Sequence, residues 1–310
     1  MKKSTLQQLK EEYKNGLIEK PVYIRKMHRF HELLFKYSKF IKNTDIKKIE
    51  IIDDQIIMTA RSIDIKLICD STDTRIAPIE ILNFDAFEKN DFPMMLKLVN
   101  NNMTFFDIGA NIGWISIYIS KAFKNVEVYA FEPIQKTFEY LKRNLELNKS
   151  KNIKIFNFGF SDTEGWVTFY YTIHDSGSAS IVNLSTFSHI TEVKGRVKKL
   201  DGFIKEHPVK IDFIKCDVEG AELFVFQGGL EAIKKYKPII FSEMLRKWSK
   251  KFNYHPNDII DLLGKMEYGC YVSFANKLKE VKRVDESTIE TNFFFLHTMK
   301  HKKILERLKG

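Results

Sequence analysis

The stretch Thr104-Phe-Phe-Asp-Ile-Gly-Ala-Asn-Ile-Gly-Trp114 constrains the fold of this chain more than any other. It reads as a buried strand from Thr104 to Ile108, a glycine-bearing turn, and a helix from about Ile112. Gly109 and Gly113 allow the backbone to come close to a ligand, and the helix start beyond them offers unpaired N–H donors. Asp107 ends the strand, where a carboxylate can accept hydrogen bonds from an amine or hydroxyl. The spacing is D-x-G-A-x-x-G, not the G-x-G-x-x-G that cradles a pyrophosphate. An acid in front of a single-glycine turn suits a cationic, phosphate-free ligand.

A second acid sharpens this reading. Glu127 to Phe131 is the next strand, and Glu132 stands at its end before Pro133. In a nucleotide-binding βαβ unit, an acid about 20 residues beyond the glycine turn hydrogen-bonds the ribose hydroxyls. Asp107 and Glu132 together fit S-adenosylmethionine, a nucleoside with a charged amino-acid tail and no phosphate. The plain alternative is a strand–turn–helix with two solvated acids.

Ile153 to Phe158 reads as the third strand, followed by Gly159-Phe-Ser-Asp162. Asp162 could accept from the adenine amine with Phe160 beside the ring; a polar turn is the competing account. Residues 165–172 read as a further strand, and His174 to Ser180 as a flexible polar loop of the kind that carries binding groups. A fourth buried strand ends at Cys216 and runs into Asp217-Val-Glu219-Gly220-Ala-Glu222. Ligands bind beyond the carboxyl ends of parallel strands where the strand order reverses, so these acids are expected near the reacting carbon. Acids also suit a solvated helix start. Glu243 ends a fifth strand, Ile239 to Ser242. Residues 244–255, including Trp248, form an aromatic and basic crossover that could cover the acceptor. Cys270 to Ala275 and Asn292 to His297 supply an antiparallel final pair.

Three segments are expected: an N-terminal helical extension and small β unit over 1–83, the main domain over 84–298, and a basic tail over 299–310. Within the first, residues 5–42 read as basic amphipathic helix and 48–70 as short antiparallel strands; residues 84–99 read as one helix. The formal charge of +10 is concentrated at the ends: residues 1–50 hold 13 Lys and Arg against 6 Asp and Glu, and residues 300–310 hold 5 against 1. A nucleic-acid enzyme places basic charge around its cleft, so nucleic acid is not expected as a partner. The basic N-terminus suits a helix capping its own domain, or peripheral contact with a membrane. Cys69, Cys216 and Cys270 show neither metal nor disulfide spacing, and neither a membrane span nor a signal-peptide pattern is apparent, so a cytoplasmic location is expected.

Taken together, Asp107-Ile-Gly-Ala-Asn-Ile-Gly113, Phe131-Glu-Pro133, Ile214-Lys-Cys-Asp-Val-Glu-Gly-Ala-Glu222 and Glu243 resemble the FkbM family of S-adenosylmethionine-dependent methyltransferases. The resemblance covers roughly residues 84–297. It implies an α/β, Rossmann-like class I methyltransferase fold with a seven-stranded, mostly parallel sheet, and O-methylation of a hydroxyl on a sugar or polyketide-like acceptor. It implies cofactor contacts from Asp107, Gly109, Ala110, Asn111, Gly113, Glu132, Pro133, Phe160, Ser161 and Asp162. Acceptor contacts fall to His174, Ser178, Glu222 and Trp248, with a nucleotide- or lipid-linked sugar as one suitable acceptor. Asp217 or Glu219 is the expected base, with Glu243 and His174 as substitutes; alternatively Asp217, Glu219 and Glu243 could hold Mg2+. A nicotinamide dehydrogenase is disfavoured because Asn111 replaces the second phosphate-cradling glycine. A nucleic-acid amino-methyltransferase is disfavoured because Asp217-Val-Glu-Gly stands where an Asn/Asp-Pro-Pro-aromatic run belongs. A non-catalytic adenosylmethionine-binding protein is the alternative from another class.

Overall fold

A computed structural model describes residues 4–172, 175–183 and 190–310. The chain opens with helices α1 (Thr5–Lys14) and α2 (Lys20–Phe40). Strands β1 (Ile46–Ile52), β2 (Gln55–Ala60) and β3 (Lys66–Cys69) then form an antiparallel sheet. Helices α3 (Ala77–Phe84) and α4 (Asp91–Leu98) lead to β4 (Thr104–Ile108), α5 (Trp114–Ala122), β5 (Glu127–Phe131), α6 (Gln135–Asn148) and β6 (Ile153–Phe156). A second small sheet comprises β7 (Gly159–Phe160), β8 (Gly165–Thr172), β9 (Asp175–Ser180) and β10 (Thr191–Lys198). After α7 (Leu200–Glu206) come β11 (Phe213–Cys216), α8 (Glu222–Gln227), α9 (Leu230–Tyr236), β12 (Ile239–Glu243), α10 (Arg246–Ser249) and α11 (Pro256–Gly264). Strands β13 (Tyr268–Phe274), β14 (Lys277–Glu280) and β15 (Asn292–His297) and helix α12 (Lys302–Leu308) complete it.

The main sheet runs β14-β13-β15-β12-β11-β4-β5-β6. From β12 to β6 every pairing is parallel, while β15 is antiparallel to both β12 and β13. The expected arrangement is present, with one addition: β14, antiparallel to β13, makes an eighth strand at the edge. The central strands are apolar on both faces because helices cover both. Alternate residues serve opposite cores. Phe105, Phe213 and Phe241 enter the core under α4, α5 and α6; Phe106, Ile214 and Ile240 enter the one under α7, α8 and α11. In the second core Phe203 sets its ring edge-on to Phe131 and Phe156, both at 5.2 Å.

Several expected boundaries shift. Residues 84–99 are not one helix: α3 ends at Asp85, which adopts a left-handed φ of 69°, and the chain restarts at Asp91 as α4. The boundary between residues 83 and 84 does not divide domains. Ile46, Met58 and Leu67 of the N-terminal sheet, with Ile65 just ahead of β3, share one core with α5 and α6. Asn144 and Asn148 of α6 also accept hydrogen bonds from the Ile68 and Lys66 backbone N–H groups (2.9 and 3.0 Å). Residues 299–310 are likewise no free tail, since Leu308 is buried and Lys309 bridges to Leu278 beside β14. The stretch read as a polar loop contains β9, although His174 itself lies outside the described residues. Among the described residues, no helix is long and apolar enough to cross a membrane.

Candidate active site

The strand order reverses between β4 and β11, and a cavity of about 570 Å3 opens over their carboxyl ends. Its floor comes from the loops after β4, β5, β11 and β12. The small β7–β10 sheet contributes Phe169, Gly177, Ala179 and Val197 to one wall, and residues 75–89 supply another.

Parallel register puts Asp107 directly beside Lys215. Both side chains point towards α5, and both are buried. Asp107 Oδ2 accepts from the Ser116 hydroxyl at 2.6 Å, while Oδ1 lies 3.5 Å from Lys215 Nζ with no hydrogen-bond partner of normal geometry among the described residues. Lys215 Nζ donates to the Gly109 carbonyl at 2.7 Å and lies 3.5 Å from Asp217 Oδ2. Burial alone would discharge this lysine, but Asp217, Asp107 and Glu88 outweigh it and hold the ammonium well above its ordinary pKa. Burial pushes Asp107 upward, against the pull of Lys215 and Ser116.

The turn after β4 is built by its own backbone. Gly109 and Ala110 N–H both donate to the Phe131 carbonyl at 3.0 Å, and Asn111 takes a left-handed φ of 49°. The two glycines answer to the fold more than to a ligand. A Cβ on Gly109 would run into the Asp217 carbonyl oxygen, and one on Gly113 would meet Leu141 Cδ1 at 2.5 Å. Gly109 still lines the cavity, whereas Gly113 faces α6 and does not. Glu132 accepts the Asn111 N–H (3.0 Å) on one oxygen and the Ile134 N–H (2.9 Å) on the other. Burial raises its pKa to about 7 against those two bonds. Each carboxylate oxygen retains a further lone pair.

Ala110, Asn111, Pro133, Phe160 and Ser161 also line the cavity as expected, but Asp162 does not; it accepts instead from its neighbour Ser161 Oγ at 3.2 Å. Asp217, Glu219 and Glu243 gather at the ends of β11 and β12, with one oxygen of each within 4.8 Å of the others. Burial, then the charges of Asp217 and Glu219, hold Glu243 well above the carboxylate range.

Glu222 does not line the cavity. Its Oε1 accepts the N–H groups of Val218 and Gly220 (both 3.1 Å), and Oε2 faces the Tyr254 hydroxyl at 3.2 Å, so it clamps the loop that presents Asp217 and Glu219. Trp248 likewise stays out of the cavity. It packs with Phe252 against Gly220, whose φ of 97° and lack of Cβ admit the Phe252 ring and the Trp248 Cβ. Ser178 does not line the cavity, although Gly177 and Ala179 on either side do. The neighbouring Ser180 hydroxyl ties β9 to the Glu219 carbonyl at 2.8 Å.

Two participants went unread in the sequence. Lys215 sits inside an apolar strand run, where only its pairing with Asp107 discloses a role. Glu88 precedes the recognised motifs altogether; it lines the cavity, its Oε2 is buried without a hydrogen-bond partner among the described residues, and burial followed by Asp217 raises its pKa to about 8. Trp114 Nε1 is similarly unpartnered and belongs to a residue on the cavity wall.

A reversal point flanked by Asp107 and Glu132, with a carboxylate group beyond β11, defines a Rossmann-like domain of the class I methyltransferase type. The model of the FkbM methyltransferase domain matches residues 107–270, just over half of the chain, and the protein belongs to that family. Methyltransferase sdnD of Sordaria araneosa is 27% identical over 157 residues, covering 41% of this chain and 61% of its own. Methyltransferase 1 of Beauveria bassiana is 30% identical over 142 residues, covering 39% and 56%. The chain therefore spans less than two thirds of these curated relatives. Among solved structures it is similar to methyltransferase FkbM from Methylobacillus flagellatus KT, at 18% identity and a TM-score of 0.43, over 69% of this chain and 52% of that one.

Proposed function

We propose that the protein is an S-adenosylmethionine-dependent O-methyltransferase whose acceptor is a hydroxyl of a sugar or glycan precursor. The observation that carries the cofactor assignment is the buried Asp107, whose Oδ1 faces Lys215 but lacks a hydrogen bond among the described residues, beside Glu132 at the topological reversal. Asp107 and the Gly109–Asn111 turn would hold the amino-acid tail, Glu132 the ribose hydroxyls, and Phe160 with Ser161 the base. When bound, the cofactor supplies an electrophilic methyl group on a sulfonium. The remaining chemistry belongs to the chain. Lys215 fixes Asp107 and the Gly109 carbonyl in one arrangement, the Glu222 clamp sets the Asp217–Glu219 loop, and the cavity walls exclude water. Asp217, Glu219 or Glu243 takes the acceptor proton. A general base contributes about 10²–10⁴-fold, and alignment of the acceptor can contribute more.

The sugar reading draws support from the acceptor end of the cavity, where Phe84, Phe87 and Trp114 offer aromatic faces beside the carboxylates of Glu80 and Glu88. Calorimetric titration with S-adenosylhomocysteine and, separately, NADH tests the cofactor. Micromolar binding of the former alone is expected; binding of NADH alone would overturn the assignment. Methyl transfer from labelled cofactor to a panel of nucleotide-linked sugars, against one of polyketide- and lipid-type alcohols, then decides the acceptor class. We further propose that α2 supports peripheral membrane contact, because Leu34, Phe35 and Phe40 are exposed among its lysines and arginines.

A further inference from the structure

The carboxylates that end β11 and β12 converge on one point. With oxygens of Asp217, Glu219 and Glu243 within 4.8 Å of one another, a single cation with metal–oxygen bonds of about 2.0–2.6 Å can reach all three. A fourth carboxyl approaches from a different part of the chain. Glu88, between α3 and α4, lines the same cavity, and its Oε2 is enclosed without a hydrogen-bond partner among the described residues. Asp217 is the charge that acts on it most strongly. The Lys215 ammonium is shared between Asp107 and Asp217 and donates to the Gly109 carbonyl, so a single lysine serves several carboxyl groups. Bringing so many carboxyl groups together in a partly desolvated site favours the binding of a further positive charge.

We propose that Asp217, Glu219 and Glu243, with Glu88 beside them, bind one hard divalent cation of the magnesium or manganese class at the acceptor end of the cavity. An all-carboxylate donor set selects hard cations over those that prefer imidazole or thiolate. Binding of the ion does not depend on the methyltransferase reading; its consequence does. A hydroxyl brought to the ion loses its proton more readily. In the transfer, the hydroxyl oxygen forms the new bond to the methyl carbon, and the carbon–sulfur bond breaks with its electron pair retained by sulfur. The sulfonium becomes a thioether, and the hydroxyl proton passes to a carboxylate oxygen of Asp217, Glu219 or Glu243 that the ion leaves free.

Manganese titration of the full-length, chelator-treated protein, followed by electron paramagnetic resonance of free Mn2+, tests the site. One Mn2+ per chain is expected, with at least tenfold weaker binding in Glu219→Gln and in Glu243→Gln, while both variants keep the wild-type thermal transition. Absence of binding up to about 1 mM would overturn the proposal, as would undiminished binding in both variants. If one variant fails to fold, Glu88→Gln is the second measurement, with weaker Mn2+ binding expected and unchanged binding in all folded variants overturning the site. Parallel calorimetry with S-adenosylhomocysteine separates the two ideas. Mn2+ binding without nucleoside binding supports the ion site and counts against the proposed cofactor, and the converse result sinks the ion site alone.

Discussion

Glu222 shows how a single buried acid can be read wrongly from its neighbours. In sequence it belongs with Asp217 and Glu219, yet its carboxylate turns back onto the loop. Replacing it with alanine strands the Val218 and Gly220 N–H groups and is expected to cost about 3 kcal/mol in denaturant unfolding. Glu222→Gln retains one acceptor oxygen and should cost less. Burial holds Glu222 at about 7 despite its backbone bonds, above the roughly 4.3 of an unfolded glutamate. An acid raised on folding stabilises fully below its unfolded pKa, and that contribution disappears as pH rises through the folded one. The stability difference between wild type and Glu222→Gln should therefore fall between pH 5 and pH 8; a constant difference would refute the linkage. Asp107, Glu132 and Asp217 were legible because each follows an apolar strand at its carboxyl end. Lys215 and Glu88 were not, since a lysine within a strand and an acid between helices acquire meaning only from partners distant in sequence.

Elements were legible where local pattern and burial agree. The five parallel strands are short apolar runs, and each is followed or preceded by a recognisable helix. Of the β7–β10 sheet only β8 was legible, for a physical reason. Thr191-Glu-Val-Lys-Gly-Arg-Val-Lys198 is half charged, and its stability comes from antiparallel pairing with β8 across a long connection. The charged edge strand β14 was hidden in the same way. At this scale the tightest joint is between the β4–α5 turn and the loop after β11, which approach so closely that Gly109 has no room for a side chain. Gly109→Ala adds both that collision and a methyl group at a φ of 78°, so a loss of about 2–4 kcal/mol is expected, together with at least a tenfold loss of S-adenosylhomocysteine affinity. A variant with unchanged melting temperature and affinity would show that the two loops can separate freely.

The molecule as a whole divides differently from its sequence. Composition suggests a basic extension in front of an enzyme, but the break in packing falls after α2, because the β1–β3 sheet already belongs to the main core. Only Leu9 and Met27 are buried apolar residues within α1 and α2. Deleting residues 1–40 should leave S-adenosylhomocysteine affinity unchanged and shift the melting temperature by only a few degrees. The same deletion should reduce sedimentation with anionic lipid vesicles if α2 makes the proposed membrane contact; undiminished sedimentation would dismiss it. The wall formed by residues 75–89 carries another consequence. It lies ahead of the stretch shared with the family, residues 107–270, yet it lines the same cavity as Asp107, Glu132 and Asp217. Part of the cavity's lining is thus written in a passage of the chain that the family match does not reach. Substitutions between residues 75 and 89 can therefore reshape one wall of the cavity while leaving the turn between Asp107 and Gly113 untouched.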